Sequence, residues 1–237
     1  KENGDKVIIN GKKSFVLNGK EADIIIVPAR TSGSQTETEG ISLFVVESDL
    51  PGISKNNYKS VDGHSASEIT FKNVEVNKDN LLGEIGKGYQ TLESTIDDAT
   101  LAVCAEATGI MKSLHDKTVE YSKNRVQFGV PIGGFQALQH RMVDTLMACE
   151  ETESILLWAL TTNQDDSSSL KKAISGLKYQ IGTAGKHVGQ EAVQLHGGMG
   201  ISWELDIAHF FKRLSSIEIL FGNADFHMKR FLTLSNN

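Results

Sequence analysis

Cysteine is scarce in this sequence. Cys104 and Cys149 are the only two among 237 residues, and neither lies in a C-x-x-C pair or a Cys/His cluster with metal-ligand spacing. A disulfide framework is therefore excluded, and a reducing, cytoplasm-like compartment is expected. No apolar run approaches the length that spans a bilayer, so no membrane is expected as a partner. There is no basic block either: 24 Lys plus Arg stand against 30 Asp plus Glu, a net charge of −6, which argues against nucleic acid. The first residue is Lys1 rather than Met, and Lys1 to Asp5 has neither an apolar core nor an Arg-rich amphipathic face. No targeting peptide is visible, and the chain is expected to be a fragment of something longer. What is present, 39% hydrophobic and 23% charged residues without internal repeats or low-complexity tracts, suits a globular protein with one large core or two ordinary ones.

The first eighty residues are written in short β-like runs. Val7-Ile8-Ile9, then Asn10-Gly11, then Ser14-Phe15-Val16-Leu17 reads as a hairpin, because Asn-Gly readily supplies the positive φ of a tight turn. A second pair, Asn18-Gly19, leads toward Ile24-Ile25-Ile26-Val27. Thr31 to Gly40 reads as a solvated loop, after which Ile41, Leu43 and Val45 alternate; Ile69-Thr70-Phe71 and Val74-Glu75-Val76 follow. An antiparallel β domain over residues 1–85 is expected.

From about Gly88 the period becomes helical. Ile96 to Leu114, Leu138 to Leu160 and Leu170 to Leu195 carry apolar residues three or four apart, predicting three long amphipathic helices. The breaker cluster Gly129 to Gly134 and the capping cluster Asn163 to Ser167 separate them. A shorter helix is expected after Gly222. The fold class is α+β, with a four-helix bundle filling 86–237.

Local motifs alone point to little chemistry. Gly197-Gly198-Met199-Gly200 either brings bare backbone against an anion or caps a helix. Arg125, followed by Gln127-Phe128-Gly129, either grips a phosphate beside an aromatic surface or complements a helix dipole. His196, His209 and His227 lack the spacing of a helical metal pair, so no metal site is expected. No Ser sits in a G-x-S-x-G elbow. Cys104 falls on an apolar helix face and reads as a small core residue.

The order of these pieces carries more than any one of them. Asp5-Lys6-Val7-Ile8-Ile9-Asn10-Gly11-Lys12 through Asn18-Gly19 resembles the middle β domain of the acyl-CoA dehydrogenase family. So do Glu68 to Val76 and Leu82 to Tyr89, which resemble the exit from that domain. Asn124-Arg125-Val126-Gln127-Phe128-Gly129 with Phe135-Gln136 is similar to the family's R-x-x-F-G-x-x-x-x-x-x-Q segment. Gln194-Leu195-His196-Gly197-Gly198-Met199-Gly200 is similar to its Q-x-x-G-G-x-G segment.

The resemblance implies that the family's N-terminal helical domain and first strands are missing from this chain. It implies FAD as cofactor, with Arg125, Gln127, Phe128, Phe135 and Gln136, together with Gln194, Leu195, His196, Gly197 and Gly198 from a neighbouring subunit, and Asn223 and Asp225, at cofactor-binding places. It implies α,β-dehydrogenation of an acyl-CoA, an electron-transfer flavoprotein as electron acceptor, and a homo- or hetero-tetramer with a catalytically complete homologue. Both usual places of the catalytic Glu are empty in this sequence, occupied by Phe221 and Ala99. Glu218 and Asp225 are the nearest carboxylates. Leu17 replaces a Thr that in many members contacts the flavin. The stretches from Trp203 to Arg213 and Phe221 to His227 look most like small, base-lacking subunits of heteromeric members. The alternative is a non-enzymatic homologue kept as an assembly or acyl-CoA-binding module.

Overall fold

The computed structural model describes residues 2–3, 5–163 and 166–236. The chain divides into two compact units, Lys1–Thr95 and Ile96–Asn237.

Among its described residues the first unit holds seven strands: β1 (Glu2–Asn3), β2 (Lys6–Leu17), β3 (Ile24–Arg30), β4 (Ile41–Glu47), β5 (Ile53–Lys59), β6 (Ser65–Asn77) and β7 (Leu81–Leu82). They form two sheets, ordered β1-β2-β6-β5 and β3-β4-β7, in which all neighbouring strands run antiparallel. Alternating side chains from both sheets, Ile9, Val27, Phe44, Val46, Ile69, Phe71, Val74 and Val76, make its core. Arg30 closes the polar loop after β3, donating to the carbonyls of Ser32, Gln35, Glu37 and Glu39.

The Asn10-Gly11 hairpin expected from sequence is corrected here. Residues 6–17 form one strand, and both of its halves pair with β6. Between Ile9↔Val74 and Gly11↔Phe71 the partner strand carries one extra residue. Asn73 there adopts φ 50°, and its N–H donates to Asn10 Oδ1 at 2.8 Å. A second irregularity between Lys13 and Val16, with Phe15 at φ 55°, restores the register. Asn-Gly therefore opposes a bulge rather than making a turn. Asn18-Gly19 is the true turn, with Asn18 at φ 53°.

The helices are α1 (Tyr89–Asn124), α2 (Gln136–Thr161), α3 (Ser167–His196), α4 (Asp206–Ile219) and α5 (Ala224–Ser235), with a two-stranded ribbon, β8 (Val126–Gln127) and β9 (Val130–Pro131), between α1 and α2. The α+β class stands as expected, and α4 is an addition to the helices read from sequence. From Ile96 onward the second unit packs around Cys104, Met111, Leu114, Leu177, Ile181, Val188, Ile207 and Ile217. Of the expected capping cluster, Asp166 caps α3 by accepting the Ser169 N–H at 3.1 Å, whereas Gln164 and Asp165 lie outside the described residues. No helix among the described residues is long and apolar enough to cross a membrane.

Candidate functional site

The end of α1 and the end of α3 meet in a cleft of about 410 Å³ in the second unit. Its walls include Tyr121, Arg125, Gln127, Ile132 and the run Gln194 to Met199. The two sequence motifs thus converge within a single chain, so Arg125 and Gln194–Gly198 need no subunit boundary to meet. Arg125 leaves α1 by an N–H bond to the Tyr121 carbonyl and accepts the Ile132 N–H on its own carbonyl, both at 2.8 Å. This fixes the backbone beneath an exposed guanidinium.

Opposite it, Gly197 ends α3 at φ 61°, its N–H bonded to the Gln194 carbonyl. The helix-cap reading of this glycine run holds, and the cap also lines the cleft. A side-chain carbon built on Gly197 or Gly198 would meet nothing within 4 Å, so their backbone faces open space bare. Gly200 is different: a Cβ there would collide with the Val193 carbonyl.

His196 is buried and stacks on Tyr121, ring centroids 4.3 Å apart. Its Nδ1 lies 2.8 Å from the Ala192 carbonyl, which can only accept, so Nδ1 carries the proton. Burial pushes its pKa below the ordinary histidine range, outweighing that carbonyl, and the ring stays neutral. The cleft therefore combines one fixed cation, two glutamine amides and bare glycine backbone, with no carboxylate among its lining residues. That donor set suits a phosphate-bearing ligand and includes no carboxylate to take a proton from carbon.

The other expected binding residues sit around or away from this cleft. Phe128, at the tip of the β8–β9 ribbon, is 92% exposed and lies edge-on to Phe135 at 6.2 Å. Gln136 is exposed at the start of α2. Asn223 caps α5, accepting the Phe226 N–H at 3.0 Å, and Asp225 is exposed in its first turn; neither lines the cleft. Among the described residues no cluster of three or more His, Cys, Asp or Glu could hold a metal ion.

The two positions at which the resemblance places the base carry apolar side chains. Ala99 lies half-buried on α1, and Phe221 takes φ 58° in the corner between α4 and α5. Glu218 is committed elsewhere: its Oε1 accepts the Ala224 N–H at 3.2 Å. Beneath the corner lies a polar group that sequence reasoning passes over. Lys178 of α3, fully buried, donates to the Glu218 and Gly222 carbonyls at 2.8 and 2.7 Å, and burial pushes its pKa down. His227 contacts the Phe221 carbonyl at 3.0 Å, and Arg230 grips Asp97 with two bonds of 2.5 and 2.8 Å. The available signal is a lysine on the apolar stripe of α3, four residues after Ile174 and three before Ile181.

A larger cleft, about 580 Å³, lies in the first unit between β2 and β3, floored by Val27, Phe44 and Phe71. None of the candidate site residues lines it, and it brings no carboxylate, histidine or thiol together.

The family model of the acyl-CoA dehydrogenase C-terminal domain matches residues 86–232, and that of the middle domain matches 1–74. The chain belongs to the acyl-CoA dehydrogenase family. It is 33% identical to the short-chain specific acyl-CoA dehydrogenase of Megasphaera elsdenii, over 90% of this chain and 56% of that protein. It is 30% identical to the caffeyl-CoA reductase-Etf complex subunit CarC of Acetobacterium woodii, over 88% of this chain and 55% of the relative. The solved acyl-CoA dehydrogenase of Geobacillus kaustophilus superposes with a TM-score of 0.92 at 28% identity, covering all of this chain and 63% of that one. The chain thus spans less than two thirds of the length of these acyl-CoA dehydrogenase relatives. Members of the family are FAD-dependent flavoproteins.

Proposed function

We propose that this chain is the β-and-bundle part of a FAD-dependent acyl-CoA dehydrogenase that lacks the family's usual catalytic carboxylate and works beside a catalytically complete homologous subunit. The observation that carries this reading is a contrast. The Arg125 and Gln194–Gly198 segments gather in one cleft with no carboxylate among its lining residues, while Phe221 and Ala99 hold the two places of the base.

In this proposal Arg125, Gln127 and Gln194 hold the phosphate-bearing part of FAD, which Gly197 and Gly198 let approach because neither carries a side chain, with Phe128 and Phe135 as the adjoining aromatic surface. Bound FAD supplies the two-electron acceptor. The reaction is α,β-dehydrogenation of an acyl-CoA thioester, and the α proton goes to a carboxylate contributed by the partner subunit. The likeness to a subunit of a reductase-Etf complex supports an electron-transfer flavoprotein as the redox partner; in this proposal it takes the electrons, and the assembly is a tetramer with the complete homologue. A cytoplasmic location and a part in fatty-acid β-oxidation complete the reading.

FAD titration followed by flavin fluorescence tests the cofactor site. Replacing Arg125 by Ala removes one charge-assisted contact and is expected to weaken binding about 10- to 100-fold; unchanged affinity would place FAD elsewhere. Leu17, exposed at the end of β2, and the empty base positions favour one second reading, a non-enzymatic homologue. A protein that binds acyl-CoA yet takes up no FAD would establish that reading instead.

A further inference from the structure

The α4–α5 corner is held by two basic side chains rather than by backbone pairing alone. The Lys178 ammonium takes the Glu218 and Gly222 carbonyls, satisfying acceptors left over where α4 ends. Between them, the Phe221 carbonyl takes the N–H of His227 at 3.0 Å. Because a carbonyl can only accept, His227 Nε2 carries the proton and Nδ1 is a bare acceptor. That Nδ1 is fully buried and has no hydrogen-bond partner among the described residues.

The corner itself is conformationally loaded. Phe221 lies at φ 58° and Gly222 at φ 106°, a region costly for a side chain such as Phe. A side chain on Gly222 would overlap the Phe226 ring, so the glycine is required by both its φ and its packing.

We propose that this corner is a proton-operated latch, closed while His227 is neutral and released when its Nδ1 takes up a proton. An imidazolium at this place gains a second N–H with no acceptor. The elements packed against the ring decide how such a charge would fare. Lys178 on α3 and Arg230 on α5 repel it, and the ring sits in the first turns of α5, near the positive end of its dipole. Asp97 on α1 attracts it, but that carboxylate is already committed to Arg230. Glu218 on α4 is spent on the Ala224 N–H. Water is where the imidazolium finds acceptors, and reaching it means giving up the Phe221 carbonyl. Lys178 then holds only the two ends of a corner whose strained middle residue is free to relax. None of this depends on the flavin reading, although Phe221 is the residue that would move.

Hydrogen–deuterium exchange, corrected for the chemical rate at each pH, tests the latch on the protein between pH 7.5 and 4.5. Burial holds the closed-state pKa of His227 at about 4, against an ordinary histidine value of 6.5. Opening of a peptide spanning 219–224 should therefore change little above pH 6.5 and rise about tenfold per pH unit from there toward pH 4.5, while amides of α3 between 174 and 189 keep their protection. His227→Gln, whose amide can donate to Phe221 but does not titrate, should flatten the pH response. Loss of protection in α3 together with the corner, or the same pH response in His227→Gln, would overturn the latch. Should that variant not fold, the wild-type imidazole read by NMR decides. A titration midpoint below pH 5 with matching shifts at residues 221–223 is expected, and a midpoint near 6.5 or silent neighbours would overturn it.

Discussion

Lys178 shows what a single residue is asked to do here. Its ammonium gives up water entirely and recovers two carbonyl oxygens, so its removal orphans both acceptors at once. Lys178→Met keeps much of the side-chain volume and should still cost about 2–4 kcal/mol, measured by urea unfolding. A loss below about 1 kcal/mol would mean that those carbonyls find other donors. His227 gives stability a pH dependence of defined sign. Its folded-state pKa is depressed to about 4, so as pH falls from about 6.5 to about 4 the unfolded chain takes a proton that the folded one refuses. Stability should drop by about 2–3 kcal/mol over that window and not further from this group, and His227→Gln should remove the drop. The thiols behave oppositely to reactive cysteines. Burial pushes Cys104 up to about 12 and Cys149 up to about 11, so neither should react with a disulfide reagent until the protein unfolds.

The helices and strands are legible from sequence where one face or one period dominates. Three long apolar stripes form α1, α2 and α3, and alternation from Ile41 forms β4. Asn10-Gly11 misleads because a hairpin signal is local, whereas β6 is long enough to pair with residues on both sides of it. The turn chemistry is used instead to oppose a bulge. α4 lies within reach of the same periodicity: Ile207, Leu214 and Ile217 are buried at helical spacing, but the stretch is short and its motif draws attention before its period. The cleft is legible as two motifs, though not as one place, since the long segment between Arg125 and Gln194 says nothing of their distance. Tyr121 escapes sequence reading because an aromatic on a helix looks like core until its partner, His196, is known. Gly200→Ala tests how tightly the end of α3 is built. The added carbon would overlap the Val193 carbonyl, which should cost about 2 kcal/mol or more in thermal unfolding. Gly198→Ala, facing open space, should leave stability within about 1 kcal/mol while weakening any ligand that approaches the backbone there.

At the scale of the whole molecule, the proposed function divides labour between an anion-binding cleft kept in this chain and a proton acceptor supplied from outside it. Ala99 and Phe221 have no titratable group, Glu218 accepts the Ala224 N–H, and the cleft has no carboxylate among its lining residues. The most direct test is an absorbance scan of the purified protein, prepared alone and coexpressed with a homologous subunit that carries the family's Glu, during addition of a panel of acyl-CoAs. A yellow flavin spectrum that bleaches with acyl-CoA only in the coexpressed complex is expected. Bleaching by the protein alone would contradict the division of labour, because a base within this chain would then be doing the work assigned to the partner.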